Sequence, residues 1–507
     1  MGGSARVVAC PQLESVKEFT MKTVLIGGTA NGQLLMDAAM ANRHGVISGA
    51  TGTGKTVTLQ VLAEGFSRLG VPVFLADIKG DLSGIATAGQ AHEKITERVT
   101  GIGIADFQFR GNPSVFWDLF GRNGHPVRTT MSDLGPLLLS NLLELNDTQT
   151  GVIYSGFKIA DDEGLLLLDL KDLRAMLNWM GENSAALSRQ YGNITSASIG
   201  AIQRRLLVLE EQGAEHFFAE PAIELDDFCR TDFSGNGVIS ILDATELTTK
   251  SPRLYATFLL WMLSELYETL PEVGDSDRPK LVLFFDEAHL LFNQAPKVLL
   301  DKIEQIVRLI RSKGVGVYFI SQSPLDIPAP ILGQMGLKIQ HALRAFTPAD
   351  RKVLKNVAQT FRANSGFDTE TVLQELKTGE ALVSVLNKDG SPTPVERTLI
   401  RPPESKIGTL SDEQRSELIG RSPFKGRYDQ MVDRESAYEM LKHKAEQQAF
   451  QAKAARDLKA STTRRSGASN RQSVGEALIK STARTIGSQL GRQIVRGIMG
   501  SLLGGKR

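Results

Sequence analysis

The chain has 507 residues, 41% hydrophobic and 23% charged, a globular composition with room for one elaborated domain or two or three smaller ones. Two cysteines, Cys10 and Cys229, exclude a disulfide framework and a cysteine-built zinc site, and suit a reducing, cytoplasmic setting. No run of ~20 apolar residues could span a membrane, and Met1–Cys10 lacks the layout of a signal peptide. The net charge of +1 conceals an asymmetry: from Lys453 to Arg507, 12 Lys and Arg face two acids, a net of +10, so the remainder carries −9. A basic tail on a mildly acidic body points to the tail as the part that seeks an anionic partner.

In chain order, residues 1–20 read as an N-terminal extension, because Met21 opens directly into the strand-like Lys22–Ile26. Val46–Ser48 is a strand that runs into a Gly-rich turn and then a helix over Thr56–Leu69. Val71–Ala76 is a short apolar run fit for a buried strand. The segment 101–230 is predicted to be a mostly helical insertion, with helices over Asp133–Leu145 and Leu170–Met180. Gly237–Leu242 is the next strand, Leu254–Leu270 a long apolar helix, Lys280–Phe285 a strand, Val298–Lys313 an amphipathic helix and Val315–Ile320 a strand. Strands buried on both faces and separated by helices predict a parallel α/β sheet, a core split into 21–100 and 231–405. Lys338–Leu343 and the pair Glu380–Leu386 and Val395–Ile400 are further strands, and Pro348–Ala363 a helix. A helical region over 406–460, a Ser/Thr/Arg-rich linker over 461–472 and a tail helix over 473–507 complete the chain.

Gly49-Ala-Thr51-Gly52-Thr53-Gly54-Lys55-Thr56 matches the P-loop pattern in full, after a strand and at the start of a helix. The glycines let backbone N–H groups turn inward to cradle phosphates. Lys55 is expected to reach the β- and γ-phosphates of ATP, and the Thr56 hydroxyl to ligate Mg²⁺. The strand Lys280–Phe285 delivers Asp286 and Glu287 to its C-terminal edge, where α/β sheets place their ligands. Asp286 suits the Mg²⁺ shell, and Glu287 suits the polarising of an attacking water. Gln322, after the next strand, is placed to sense the γ-phosphate. Asp77 ends its strand near the same edge, as a contact to the metal shell or neighbouring subunit or as a cap of the turn after it. A cation from a neighbouring subunit would complete the site, with Arg344, Arg311 and Arg308 as candidates and Arg344 preferred, because an arginine at a strand end is rigidly aimed.

Two partial motifs are set aside. Asp286-Glu-Ala-His289 spells a helicase box, but the partner motifs of that helicase class are missing. Asn387-Lys-Asp-Gly390 departs from the guanine-reading pattern at its fourth position and predicts a hairpin turn instead. Adenine is therefore the default base.

Gly49–Thr56, Asp77-Ile-Lys-Gly-Asp-Leu-Ser-Gly84, Asp286-Glu287 and Gly316-Val-Tyr-Phe-Ile-Ser-Gln-Ser-Pro324 resemble the HerA/FtsK superfamily. Arg43–Thr56, Leu300–Gln305, Arg308–Gly316 and His341–Pro348 are similar, more closely, to the bacterial HerA-like ATPases of the YjgR type. The resemblance runs from about Met21 to the tail and implies a RecA-like, additional-strand P-loop core. It further implies a hexameric ring with ATP at subunit interfaces, driving DNA through a central channel. HerA proper carries a β-barrel ahead of its P-loop, and with 48 residues before Gly49 that module is not expected here. The alternative is an ATP-dependent switch or scaffold that assembles on a membrane or protein without translocating.

In the tail, Val474, Leu478, Ile486, Leu490, Ile494, Ile498 and Leu502 recur at four-residue spacing, opposite Lys480, Arg484, Arg492 and Arg496. That pattern predicts an amphipathic basic helix suited to an anionic membrane surface, to nucleic acid or to the protein's own body.

Overall fold

The computed structural model describes residues 23–274, 276–292, 297–345 and 347–465. The chain divides into two units, 1–440 and 441–507. The first is built on a twelve-stranded sheet. Its strands are β1 (Thr23–Thr29), β2 (Gly32–Asp37), β3 (Gly45–Ser48), β4 (Val73–Asp77), β5 (Ser114–Asp118) and β6 (His125–Pro126). They continue with β7 (Ile239–Asp243), β8 (Leu281–Phe285), β9 (Val315–Ser321), β10 (Leu337–His341), β11 (Glu380–Ser384) and β12 (Glu396–Ile400).

The strands lie in the order β2-β1-β12-β11-β10-β3-β9-β8-β4-β7-β5-β6. From β10 through to β6 all neighbours are parallel, whereas β11, β12, β1 and β2 extend one side in antiparallel pairing. The parallel strands are buried on both faces, which is why β4, β8 and β9 are continuous apolar runs without alternation. With β9 between β3 and β8, the strand before the P-loop and the strand before Asp286 are separated by one additional strand. This is the parallel α/β sheet expected from the residues, in the RecA-like, additional-strand arrangement that the resemblance implies.

The helix Lys55–Arg68 lays Leu59, Leu62, Ala63 and Phe66 on this sheet. Phe66 meets Tyr318 of β9 edge-on at 5.8 Å and Phe284 of β8 at 6.3 Å, so the helix that opens at the P-loop is anchored by aromatic packing. Rings in such contact, fully removed from water, resist the sliding of helix over sheet that would move Lys55.

Between β4 and β7 the segment carries helices Met131–Leu142, Asp147–Glu163, Leu170–Glu182, Ser184–Tyr191 and Ser196–Glu211. Capping boxes from Thr130, Asn146 and Asp169 fix the starts of three of them. The same segment also supplies β5 and β6 to the sheet, which the helical reading of 101–230 did not include. Trp117 explains the gain: it is fully buried against Phe228, Phe424 and Tyr428, partners distant in sequence. Further on, Asn387–Ser391 makes the predicted turn, with Gly390 at φ 82°. The polar helix Ala437–Arg465 runs past residue 461, so the start of the expected linker is helical. The rest of that linker, the tail 473–507 and the extension 1–20 lie outside the described residues.

Candidate functional site

The P-loop joins the end of β3 to the helix Lys55–Arg68. Gly49, Gly52 and Gly54 take φ of 151°, 77° and 115°, conformations open to glycine and costly to other residues. No side chain caps the helix at Gly54, so its first N–H groups remain available to an anion, aided by the helix dipole. Thr51 and Gly52 are exposed at the tip, whereas Thr53 is buried and its hydroxyl donates to Ala50 O at 2.7 Å. The Lys55 ammonium lies inside the loop, donating to Gly49 O at 2.6 Å and Ala50 O at 3.1 Å. Burial, and then the nearby Lys79 cation, hold its pKa below the ordinary lysine value, with Glu287 and Asp286 opposing. Thr56 follows at the first turn, half-buried.

Asp286 and Glu287 end β8, two strands from β3, and both are buried. Glu287 is one of three non-glycine residues with positive φ among those described, at 45°. Backbone in that region is sparsely populated and aims the side chain by its own geometry. Asp286 Oδ1 accepts from Glu287 N at 2.9 Å, and burial pushes the Asp286 carboxyl above its ordinary pKa while Lys79 pulls it down. Among the described residues no cluster of three His, Cys, Asp or Glu side chains could hold a metal by itself. Mg²⁺ here would thus share Asp286 and Thr56 with phosphate oxygens, as suits an ion that keeps few protein ligands.

β9 pairs Ser321 with Ser48, the residue before Gly49. Gln322 follows at once, exposed between the P-loop and the Asp286 strand. Asp77 caps the turn that follows it, its carboxylate accepting from Gly80 N at 2.8 Å, Asp81 N at 3.3 Å and Leu82 N at 3.0 Å. The three arginines separate. Arg344 shares a cavity of about 540 Å³ with Thr53 of its own chain, together with Gln374, Lys377 and Thr378. Arg308 is exposed and pairs with Glu304 at 2.5 Å on its own helix, and Arg311 is exposed just beyond.

Several residues of the site were invisible as such in the sequence. Lys79 Nζ lies 2.7 Å from Glu287 Oε1 and 3.7 Å from Asp286 Oδ2. Burial lowers its pKa, but the Asp286 and Glu287 carboxylates outweigh that and raise it. His289 Nδ1 is 3.2 Å from Glu287 Oε2. His341, at the end of β10, contacts Thr58 Oγ1 through Nε2 at 2.9 Å and Glu380 O through Nδ1 at 3.0 Å. Tyr255 is fully buried near Asp286 and Asp77, its hydroxyl without a hydrogen-bond partner among the described residues. The motif around Asp77 contained Lys79, but only the turn made by Asp77 directs its ammonium at Glu287.

A family model described as "Helicase HerA-like C-terminal" matches residues 22–507. A "Probable helicase MJECL08" of Methanocaldococcus jannaschii is 33% identical over 125 residues, 24% of this chain and 22% of that protein. The "DNA double-strand break repair helicase HerA" of Sulfolobus acidocaldarius is 20% identical over 393 residues, 75% of this chain and 70% of that one. Among solved structures, the bacterial conjugative coupling protein TrwBdeltaN70 overlaps 78% of this chain and 94% of its own at 14% identity and a TM-score of 0.49. VirB4 of Thermoanaerobacter pseudethanolicus overlaps 77% and 98% at 17% identity and a TM-score of 0.47. With its P-loop and acidic pair on either side of an additional strand, the chain belongs to the HerA-like helicase C-terminal family and is a P-loop ATPase of the HerA/FtsK type.

Proposed function

We propose that the protein is a ring-forming motor that hydrolyses Mg-ATP and acts on DNA. The observation that carries the ATPase reading is the convergence of Lys55, Asp286 and Glu287 at one edge of the parallel sheet, with β9 and Gln322 between them. Lys55 and the uncapped helix N-terminus neutralise phosphate charge. Thr56 and Asp286 would hold Mg²⁺, which when bound supplies a Lewis acid to the β- and γ-phosphate oxygens. Glu287 accepts the proton of an attacking water, and Gln322 orients that water against the γ-phosphate. The cavity at Thr53 and Arg344 offers polar groups for the base and ribose, which favours a role for Arg344 at its own subunit's nucleotide. Arg308, Arg311 and Arg344 are all exposed, so each remains able to give its cation to a neighbour in a hexameric ring.

DNA as the substrate is supported by the family and by the helicase relatives named above, and by the +10 charge of residues 453–507. No helix among the described residues is long and apolar enough to cross a membrane, and a cytoplasmic site of action accords with the reading. The rival is an ATP-dependent switch assembling on a membrane or protein partner, and the amphipathic pattern of the tail is what favours it. Steady-state ATPase rates with and without double- and single-stranded DNA decide between them. Stimulation supports the motor, and indifference to both supports the switch.

A further inference from the structure

We infer that Lys79 is a positioning residue that restrains Glu287, and that a phosphodiester backbone frees the carboxylate by drawing the Lys79 ammonium away. The inference rests on the reading of Glu287 and of DNA given above. Glu287 Oε1 accepts from Lys79 Nζ at 2.7 Å. Its other oxygen, Oε2, is closed to solvent and faces His289 Nδ1 at 3.2 Å without the alignment of a hydrogen bond. Water can therefore reach only the acceptor capacity that Lys79 leaves on Oε1. A carboxylate that must take a proton from water is a weaker acceptor while an ammonium holds its lone pair.

The restraint is built by the fold. Glu287 is aimed by its own backbone at φ 45° and is 11% exposed. Lys79 is carried on the turn that Asp77 ties down through Gly80 N and Leu82 N. Since β4 and β8 are neighbours, the ends of both strands, and with them Lys79 and Glu287, meet at the same edge. The Lys79 side chain is 39% exposed against 11% for Glu287, so a competing anion reaches the lysine from solvent more readily than it reaches its partner. A phosphodiester offers that anion at high local density and exchanges readily with surface cations. Occupancy of DNA and readiness of the base are thereby linked through one side chain.

The test uses the full-length protein. Steady-state ATPase is measured without DNA and with double-stranded DNA for the wild type, Lys79→Gln, Lys79→Arg and Lys79→Gln combined with Glu287→Gln. Removing a half-exposed ion pair should raise the basal kcat of Lys79→Gln on the order of fivefold, with little change in KM for ATP. DNA should then stimulate this variant less than the wild type. Lys79→Arg should keep the low basal rate, and the double variant should be inactive. A basal kcat for Lys79→Gln at or below that of the wild type, with unchanged thermal melting, overturns the restraint. Should Lys79→Gln melt early, Lys79→Met is assayed in its place under the same criterion. If the wild type ignores DNA while Lys79→Gln is faster, the restraint stands and release by DNA falls. If DNA stimulates the wild type and Lys79→Gln equally from the same basal rate, the restraint falls and the DNA reading stands.

Discussion

Gly49 and His341 are packed so closely that a Cβ on Gly49 would lie 2.5 Å from His341 Cβ and 3.2 Å from its Cα. The first residue of the P-loop thus rests directly on the end of β10, and Ala50 N donates to Ala342 O at 3.0 Å beside it. A side chain at Gly49 has to push the two strands apart and also adopt φ 151°. Gly49→Ala should cost about 1–3 kcal/mol, through strain and displacement of the loop. Nucleotide affinity should fall with it. A variant that melts and binds ATP like the wild type would refute this account of the contact.

Lys55→Ala removes the cation inside the loop and should abolish nucleotide binding or turnover. Glu287→Gln should retain binding and lose turnover, because an amide cannot take the proton from water. Equilibrium binding of a fluorescent nucleotide, paired with phosphate release, separates the two. Turnover of Glu287→Gln at the wild-type rate would remove it from the role proposed.

Replacing the arginine that serves a neighbour should slow hydrolysis ~10³-fold or more with nucleotide affinity little changed. Arg311→Ala and Arg308→Ala are the variants to compare, with Arg344→Ala expected to weaken binding to its own site as well. Mixed with Lys55→Ala chains, the true finger variant should recover activity above the sum of the two preparations. If no mixture does so, the cation is not supplied between subunits.

Two buried histidines make stability depend on pH. Burial lowers the pKa of both His44 and His341 to about 4. Below pH ~6.5 the unfolded histidines take up protons that the folded ones refuse, so their contribution is full above that pH and is lost as pH falls towards 4. They are opposed by buried Asp77, whose carboxyl is raised to about 7. The loss is on the order of 3 kcal/mol for each histidine when complete. Protonation at Nε2 of His341 would also end its acceptance from the Thr58 hydroxyl on the P-loop helix. Urea midpoints at pH 7.5, 6 and 5 measure the slope. His44→Gln and His341→Gln should each flatten it, and an unchanged slope in both would reject the assignment.

Deleting residues 473–507 tests the tail read from sequence. If it docks on an anionic surface, the shortened protein keeps its basal ATPase and its melting temperature but no longer co-sediments with anionic vesicles or DNA. If its apolar stripe packs on the body, the truncation melts earlier and the full-length chain binds neither surface at moderate salt.

The nucleotide loop, the acidic pair and the parallel core are legible in the linear order of residues. Each is encoded locally: Gly49–Thr56 by glycine spacing, and Leu281–Phe285 by an apolar run ending in Asp286 and Glu287. Asn387–Gly390 declared its turn for the same reason, since turn chemistry lies in adjacent residues. Tertiary structure decided what depends on partners far apart in the chain. β5 was hidden because five residues around Trp117 have no period of their own, and only Phe228, Phe424 and Tyr428 make them a buried strand. β2 was hidden because Gly32–Asp37 is an edge strand in which Met36 alone is buried. Its place at a strand end suits Asp77 to a metal shell, a neighbouring subunit or a cap alike, and it is the turn 78–82 that brings N–H groups to its carboxylate. Lys79 and Glu287 stand 208 positions apart, and no spacing rule joins them. They meet because β4 and β8 are hydrogen-bonded neighbours in a parallel sheet, whose strand ends all lie on one edge.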